Sequence, residues 1–306
     1  MPNSPINELQ TVRDWIRWGA SQFNSAQLWF GHGTDNAWDE AMVLVLWVIN
    51  QPWEWLERVY ETRLTMDERQ KILDAIHRRI DEKIPAAYIT GEAWFGGLKF
   101  EVNQDVLVPR SPIAELVEEN FSPWLGSSPG HVLDLCTGSG CIGILCAEVF
   151  EDARVDLSDI SPAALAVARR NVARYQLEER VRVIESNLFC SDAFQGQKYD
   201  LIVSNPPYVD AQDLAAMPAE YRAEPPLGLA SGADGLDITR RILREAHRYL
   251  TPEGLLVVEV GNSWESLEKA YPDVPFFWPE FENGGHGVFI LTAEQLEECA
   301  SVFTGH

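Results

Sequence analysis

The chain has 306 residues, with 47 acidic and 24 basic side chains and a net charge of −23. This excess of carboxylates opposes a nucleic-acid surface, because phosphate binding depends on clustered Lys and Arg; it favours a basic partner unless it serves solubility alone. The longest apolar run, Ala41 to Ile49, is too short to span a bilayer, and no secretory signal is visible. Five cysteines without a CxxC pair argue against disulfides or a metal site, so we expect a cytoplasmic protein.

Residues 1–90 are predicted to form a helical domain. Apolar residues recur at helical spacing from Leu9 to Phe23, and further helices are predicted over 39–49 and 66–84, the last with Thr65 as N-cap. Seven of the eleven tryptophans fall within the first 55 residues. We expect these rings to build a small helical core; the alternative is a recognition surface.

Residues 91–112 are predicted to form a β-hairpin that links two domains. Phe100–Val102 and Val106–Val108 are short β-like runs, and Asn103-Gln104-Asp105 is the turn expected between them. A helix is predicted to begin at Ile113.

Residues 113–306 are predicted to form an α/β domain, because strands and helices alternate there. The predicted strands are 132–135, 155–157, 181–184, 201–203 and 255–260, and the predicted helices are 142–150, 162–175, 238–250 and 264–270. A final antiparallel hairpin is predicted from 276–281 and 288–291. Five parallel strands followed by such a hairpin fit a Rossmann-like, seven-stranded class I methyltransferase sheet better than a dinucleotide-binding half.

A glycine-rich loop follows the first of these strands. Its glycines satisfy GxGxxG between a strand and a helix, so the backbone can approach a nucleotide or amino-acid ligand at a helix N-terminus. The motif alone does not separate NAD from S-adenosyl-L-methionine. The predicted binding residues of the loop are Thr137, Gly138, Ser139, Gly140 and Cys141.

Two carboxylates and one loop extend the predicted cofactor site. Asp159 ends the next strand, where an acid accepts ribose hydroxyls. Asp134 precedes the glycine loop; an acid there suits an ammonium group, whereas it would be repelled by a pyrophosphate, or it caps loop amides. Asn187 and Leu188 follow the third strand, where an adenine ring is expected, although both can also be plain loop residues.

The chain is organised around the strand that runs into Asn205-Pro206-Pro207-Tyr208. A buried parallel strand ends at the edge of the sheet where ligands bind, and two prolines stiffen the loop and leave its carbonyls free. The Asn205 side-chain oxygen and the Pro206 carbonyl can each accept a hydrogen bond from one of the two N–H groups of a planar amide. The Tyr208 ring can stack on the plane of that amide. Orientation of the amide nitrogen toward a sulfonium methyl group can lower the activation barrier by up to about 7–11 kcal/mol. The reaction then needs no strong base.

In these residues and in several longer stretches, the chain resembles the bacterial protein-(glutamine-N5) methyltransferases over nearly its whole length. The stretches that carry the resemblance are NELQTVRDWIRW, WFGHGTDNAWDEA, VLVPRSPIAELV, LDLCTGSGCIGI, SNPPYVD and EPPLGLASGADGLDITRRIL. The resemblance implies S-adenosyl-L-methionine bound by Thr137 to Cys141, Asp159 and Asn205, and a substrate glutamine held by Asn205 to Tyr208. It also implies that the helical domain recognises the substrate.

Within that family, Gly31-His32-Gly33-Thr34-Asp35-Asn36 and Ser111-Pro112-Ile113-Ala114 favour the ribosomal-protein branch over the release-factor branch. The implied substrate is the basic ribosomal protein uL3, free or in an assembly intermediate. Asn187 stands where family members often carry Asp. Arg110 either contacts substrate or cofactor or pairs with a nearby acid.

Three other functions are compatible with parts of the sequence. Asn-Pro-Pro-Tyr suits the exocyclic amine of adenine, which would make the protein a nucleic-acid adenine-N6 methyltransferase, although the negative charge opposes this. GxGxxG suits an NAD oxidoreductase, which the proline-tyrosine loop contradicts. The third is a non-catalytic ribosome-assembly module.

Overall fold

The computed structural model describes residues 5–304, so the predicted domain ends at 1–4 and 305–306 lie outside the described residues. The chain divides into two compact units. One contains the residues up to Ala93 together with Pro218–Ala223, and the other contains Trp94–Met217 and the residues from Glu224 onward. The return of Pro218–Ala223 to the first unit was not predicted. Within residues 5–304, no helix combines the length and apolarity needed to cross a bilayer.

The first unit is helical, as predicted. Its helices are α1 (Pro5–Glu8), α2 (Val12–Ser25), α3 (Ala37–Val48), α4 (Leu56–Val59), α5 (Met66–Asp81) and α6 (Ala86–Thr90). The side chains of Thr11 and Thr65 accept hydrogen bonds from the third residue of α2 and of α5, and those residues bond back to the cap backbone. These reciprocal bonds satisfy backbone donors that a helix start leaves unpaired, which explains why both helices begin there.

The expected core of tryptophan rings is wrong for most of the seven rings. Trp15 is fully buried in α2, and aliphatic side chains such as Ile16, Leu44 and Ile76 fill the surrounding core. Five of the rings are between 39% and 50% exposed: Trp29, Trp38, Trp47, Trp53 and Trp55. The apolar stripe of each helix is already complete without them, so these rings lie on the polar-facing sides of the helices and in the connecting segments.

The hairpin exists, but its predicted position is wrong. Strands β1 (Glu92–Phe95) and β2 (Leu98–Glu101) pair across Gly96 and Gly97, whose φ angles are 52° and 70°. Two consecutive positive φ angles are the requirement of the tight hairpin turn, and a Gly-Gly pair meets it without strain. The predicted turn at 103–105 is instead a local turn in which the Asn103 side chain accepts from the Asp105 N–H.

The second unit is an α/β fold with a sheet of six strands in the order β5-β4-β3-β6-β7-β8. Its strands are β3 (His131–Leu135), β4 (Arg154–Asp159), β5 (Val181–Glu185), β6 (Tyr199–Ser204), β7 (Leu250–Glu259) and β8 (Val288–Thr292). Its helices are α7 (Ile113–Glu118), α8 (Cys141–Val149), α9 (Pro162–Arg174), α10 (Ala211–Ala216), α11 (Asp237–Glu245), α12 (Trp264–Ala270), α13 (Ala293–Glu298) and α14 (Ala300–Phe303). The first five strands pair in parallel and β8 is antiparallel to β7. The predicted alternation and the Rossmann-like class are confirmed.

The seventh strand is reduced to a single bridge. Within the described residues, the predicted 276–281 strand contributes only the antiparallel pair Phe277–Ile290 beside β8. Pro275 and Pro279 flank the bridge, and a proline removes a ladder donor, so pairing cannot extend far from it.

Strand order fixes where a ligand can bind. The chain proceeds from β3 to β4 and β5, then returns to place β6 on the other side of β3. In open parallel sheets the crevice beyond the carboxyl ends of two such strands is the usual ligand site. Here those ends are Leu135 and Ser204, which are register partners.

Candidate active site

The register brings the two sequence motifs to the same crevice. Because Leu135 pairs with Ser204, the glycine loop leaves β3 beside the point at which Asn205 leaves β6. The Ser204 hydroxyl donates to the Leu135 carbonyl at 2.7 Å, which ties the two strand ends together. Thr137 N–H donates to the Ser158 carbonyl of β4 at 3.0 Å, so the loop is also fixed on its other side.

The glycines of the loop have separate purposes. Gly140 has a φ of +84° and precedes α8 as its N-cap. A Cβ at Gly143 would overlap the Leu157 side chain and lie 3.0 Å from the Asp134 Cβ, so this glycine lets α8 pack closely on the sheet. A Cβ at Gly138 would meet nothing within 4 Å, which leaves open space above the loop where a ligand can approach the backbone.

Asp134 is a buried carboxylate with one occupied and one unoccupied oxygen. Its Oδ2 accepts from Thr137 Oγ1 at 2.5 Å and from Gly143 N at 2.9 Å. Its Oδ1 is buried and has no hydrogen-bond partner among residues 5–304. Burial raises the pKa of Asp134 to about 7, against the lowering effect of those two bonds. One oxygen therefore caps the loop while the other is free to bind a cation.

Asp159 ends β4 and also holds the glycine loop. Its Oδ2 accepts from Gly138 N at 3.0 Å and its Oδ1 accepts from Ser161 N at 2.9 Å. Burial raises the pKa of this carboxyl although the backbone bonds oppose the change. Each carboxylate oxygen can accept a second bond, so the predicted contact with ribose hydroxyls is compatible with these bonds.

A cavity of about 320 Å³ lies beside the ends of β4 and β5; its lining residues are Ile160, Glu185, Ser186, Asn187, Cys190 and Ser191. Asn187 lines this cavity, and its contact with an adenine base stays a prediction. Leu188 differs: it is 5% exposed, and its side chain belongs to the hydrophobic core rather than to the lining. Ile160 is 48% exposed in this cavity and was not predicted. Its only sequence signal is an apolar residue directly after the strand-ending Asp159.

Asn205 presents its side chain without competition. Within residues 5–304, no hydrogen bond occupies its amide, and no N–H bonds to the Pro206 carbonyl. Pro206 is buried and Pro207 is partly buried, so the loop is held in place while these polar atoms remain available. The two acceptors proposed for a planar amide are therefore both unoccupied by protein donors.

Tyr208 is held from several directions. Its hydroxyl donates to Glu259 Oε1 at 2.8 Å, and its carbonyl accepts from Ser263 Oγ at 2.8 Å. A Cβ at Gly261, where φ is +45°, would lie 2.5 Å from the Tyr208 Cε2, so the ring packs directly on this glycine. The aromatic ring of the motif therefore has a defined position.

Arg110 pairs with an acid, which resolves one of the open alternatives. Its guanidinium donates to Glu224 Oε1 at 2.5 Å and to Glu224 Oε2 at 2.6 Å, and Val108 N–H donates to the same carboxylate at 3.1 Å. Glu224 is 2% exposed. This bidentate pair fixes the VLVPRSP stretch to the segment that follows the Asn-Pro-Pro-Tyr motif.

Sequence reasoning missed Glu259 and Ser111. Ser111 Oγ donates to Glu259 Oε2 at 2.6 Å. A signal for Glu259 was available: it is an acidic residue at the carboxyl end of an apolar strand, the same pattern that identified Asp134 and Asp159. Ser111 was noted only as part of the Ser111-Pro112-Ile113-Ala114 stretch, and no sequence signal indicates that it pairs with Glu259.

Two protein families and several known proteins are similar to this chain. The family described as Methyltransferase small domain matches residues 115–220, and the PrmC N-terminal domain family matches residues 14–91. A ribosomal protein uL3 glutamine methyltransferase from Francisella tularensis subsp. tularensis is 49% identical over 300 residues, which cover 97% of this chain and 95% of the relative. A protein of the same name from Bordetella pertussis is 47% identical over 298 residues, covering 97% and 99%.

Among solved structures, the hMettl16 catalytic domain in complex with MAT2A 3′UTR hairpin 6 has a TM-score of 0.51 at 17% identity, covering 74% of this chain and 81% of that one. This likeness supports the fold alone. The near-complete match to the curated relatives goes further: the chain belongs to the ribosomal protein uL3 glutamine methyltransferase family.

Proposed function

We propose that this protein transfers a methyl group from S-adenosyl-L-methionine to the side-chain amide nitrogen of a glutamine in ribosomal protein uL3, in the cytoplasm. The observation that carries the proposal is the Asn-Pro-Pro-Tyr loop at the carboxyl end of β6, with unoccupied acceptors beside the glycine loop. The name of two relatives that match nearly the whole chain supplies the substrate.

The residues present fit the cofactor. Asp134 Oδ1 is a buried, unpartnered acceptor that suits the ammonium group, and the open space at Gly138 admits a ligand to the loop backbone. Asp159 would accept ribose hydroxyls, and the cavity at Ile160 and Asn187 would hold the base. When bound, the cofactor supplies an electrophilic methyl group on a sulfonium.

The chain's own residues prepare the substrate amide. The lone pair of an amide nitrogen is delocalised into its carbonyl, so the nitrogen must be oriented before it can attack. The Asn205 side-chain oxygen and the Pro206 carbonyl would accept hydrogen bonds from the two N–H groups of the substrate amide, and the Tyr208 ring would hold the plane of that amide. The nitrogen gains the methyl group and loses one proton, which becomes acidic as transfer proceeds and can pass to water, so orientation and electrostatic stabilisation are sufficient without a strong base.

We assign recognition of the substrate to the helical unit. Its five exposed tryptophans are concentrated before residue 56, and aromatic rings are enriched where proteins bind partners. Trp53 and Trp55 flank Glu54 in one short 3-10 helix, which combines rings with a carboxylate. Such a surface suits Lys and Arg side chains of a basic ribosomal protein, both by charge and by cation–π contacts.

Incubation with labelled cofactor and four separate acceptors tests the proposal: uL3, a release factor, an RNA hairpin and duplex DNA. We expect labelling of uL3 alone, with peptide mass spectrometry placing one methyl group on a glutamine amide. Labelling of the release factor alone would move the protein to the other branch of glutamine methyltransferases. Labelling of a nucleic acid alone would replace glutamine by adenine as the acceptor.

A further inference from the structure

A buried carboxylate lies behind the catalytic loop and has no part in the mechanism above. Glu259 is the last residue of β7 and is 3% exposed. Its Oε2 accepts from the Ser111 hydroxyl at 2.6 Å, and its Oε1 accepts from the Tyr208 hydroxyl at 2.8 Å. It thereby joins the VLVPRSP stretch to the Asn-Pro-Pro-Tyr motif.

The fold does not need an acid at this position. The four residues before Glu259 in β7 are apolar and buried, and Val260 after it is fully buried. An apolar side chain would continue this pattern, whereas a buried carboxylate loses solvation and must recover it from donors. Burial raises the pKa of Glu259 to about 6, while Ser111, Tyr208 and Arg110 act to lower it. Two hydroxyl donors thus hold a carboxylate that packing alone would not select.

The direction of these bonds limits what Tyr208 can do. The tyrosine donates its proton to Glu259, so this proton is engaged by the carboxylate, and a phenol that keeps its proton does not act as a base. The bond also fixes rotation of the ring, which already packs on Gly261 and is tied by Ser263 at its carbonyl. A planar amide that stacks on the Tyr208 ring lies parallel to it, so the orientation of the ring sets the orientation of the amide.

We propose that Glu259 is a positioning residue, which acts through Tyr208 to set the angle of the substrate amide, and that Ser111 holds Glu259 for this purpose. The inference rests on the proposed function and adds to it a specific support for the orienting ring. Because the ring angle matters most when the nitrogen attacks, the loss of Glu259 lowers kcat while the KM for uL3 and the affinity for the cofactor change little.

A double-mutant cycle of Glu259→Gln and Tyr208→Phe tests this. We expect Glu259→Gln to lower kcat about ten- to hundredfold in the wild-type background, and to have no further effect when combined with Tyr208→Phe. Glu253→Gln is the matched control, because Glu253 lies in the same strand and is exposed; it keeps the wild-type kcat. Cofactor binding measured by calorimetry shows that each variant retains its site.

The outcomes separate the two proposals. An active wild type with an unchanged kcat in Glu259→Gln contradicts the positioning role, and so does an equal fall of kcat in both backgrounds. A wild type that does not methylate uL3 contradicts the proposed function instead. If Glu259→Gln does not fold, Ser111→Ala decides: a fall in kcat that disappears in combination with Tyr208→Phe supports the role, and an unchanged kcat overturns it.

Discussion

Two clusters of buried charged side chains, one in each unit, are neutralised differently. In the helical unit, Arg79 is fully buried, with its Nε 3.1 Å from Glu40 Oε2 and its Nη1 3.4 Å from Glu220 Oε1. In the catalytic unit, Asp134 and Glu259 are held by hydroxyl and backbone donors, and no cationic side chain among residues 5–304 forms a hydrogen bond with either of them. At Arg79 opposite charge serves the fold, as it also does where Arg110 pairs with Glu224, whereas the neutral donors at Asp134 and Glu259 leave these two carboxylates available to a ligand or to a catalytic side chain.

The Arg79 cluster consists of Arg79, Glu40, Glu220 and the backbone of Trp29, and it shows how opposite charges stabilise the fold. Burial raises the pKa of Glu40 despite Arg79. Burial also acts to raise the pKa of Glu220, but the Trp29 N–H bond and Arg79 outweigh it, so this pKa lies below the ordinary value. Arg79 Nη2 also donates to the Trp29 carbonyl at 2.7 Å. The cluster therefore fixes Pro218–Ala223 within the helical unit.

The largest expected effect on stability comes from Arg79→Met. Removal of the guanidinium leaves two buried carboxylates without their cation, which costs about 3–5 kcal/mol in the free energy of unfolding. Urea unfolding followed by circular dichroism measures this. Arg78→Met is the matched control, because Arg78 is the exposed neighbour in α5 and its change stays within about 0.5 kcal/mol. Equal stability of both variants would contradict this prediction, because it would mean that the buried Arg79 cluster does not stabilise the fold.

Gly143→Ala has the next largest effect. The added methyl group overlaps the Leu157 side chain and crowds Asp134, and overpacking of this kind costs about 1–3 kcal/mol. We expect a lower melting temperature together with weaker cofactor binding, because Asp134 moves with α8. Gly126→Ala is the control: a Cβ there meets nothing within 4 Å. Unchanged cofactor affinity in Gly143→Ala would show that Asp134 is not held for a ligand.

The raised pKa of Asp134 predicts a pH dependence of cofactor binding. A bound ammonium group favours the ionised carboxylate, so affinity falls as pH decreases below about 7, where Asp134 takes up a proton. The expected loss approaches about tenfold per pH unit, or 1.4 kcal/mol. Titration calorimetry at several pH values measures it. Asp134→Asn cannot ionise, so the same slope in that variant would contradict the assignment.

The smallest expected change in stability concerns the exposed rings. Trp53 is 46% exposed, so Trp53→Ala changes the free energy of unfolding by less than about 1 kcal/mol, while Trp15→Ala, at a fully buried ring, costs about 3–5 kcal/mol. The proposed recognition role adds that Trp53→Ala weakens uL3 binding in fluorescence titration. Equal destabilisation by the two variants would show that Trp53 contributes to the core as much as Trp15 does, as the sequence predicted.

Sequence predicted the catalytic unit better than the helical one, for physical reasons. A parallel sheet buries whole strands, so the apolar runs before Asp134 and Asn205 identify both the strands and the residues at their carboxyl ends. The Gly96-Gly97 turn was missed because the prediction followed the apolar runs 100–102 and 106–108 and placed the turn between them. A Gly-Gly pair is itself a signal for a hairpin turn.

Long-range pairing explains the remaining errors. The Arg79–Glu220 pair joins residues 141 apart, and the Ser111–Glu259 pair joins residues 148 apart. No local pattern marks such partners. The composition of the first unit also misled, since tryptophan is as suited to a binding surface as to a core, and only the packing of α2, α3 and α5 shows which rings remain outside.

The proposed reaction depends on acceptors at Asn205 and Pro206 that orient an amide nitrogen for methyl transfer. Single-turnover methylation of uL3 by Asn205→Ala tests it most directly, with Asn24→Ala as the control at an exposed position of α2. We expect Asn205→Ala to lower the rate about 10²- to 10³-fold, the usual cost of removing one preorganised polar group, while Asn24→Ala keeps the wild-type rate. A wild-type rate in Asn205→Ala would contradict it.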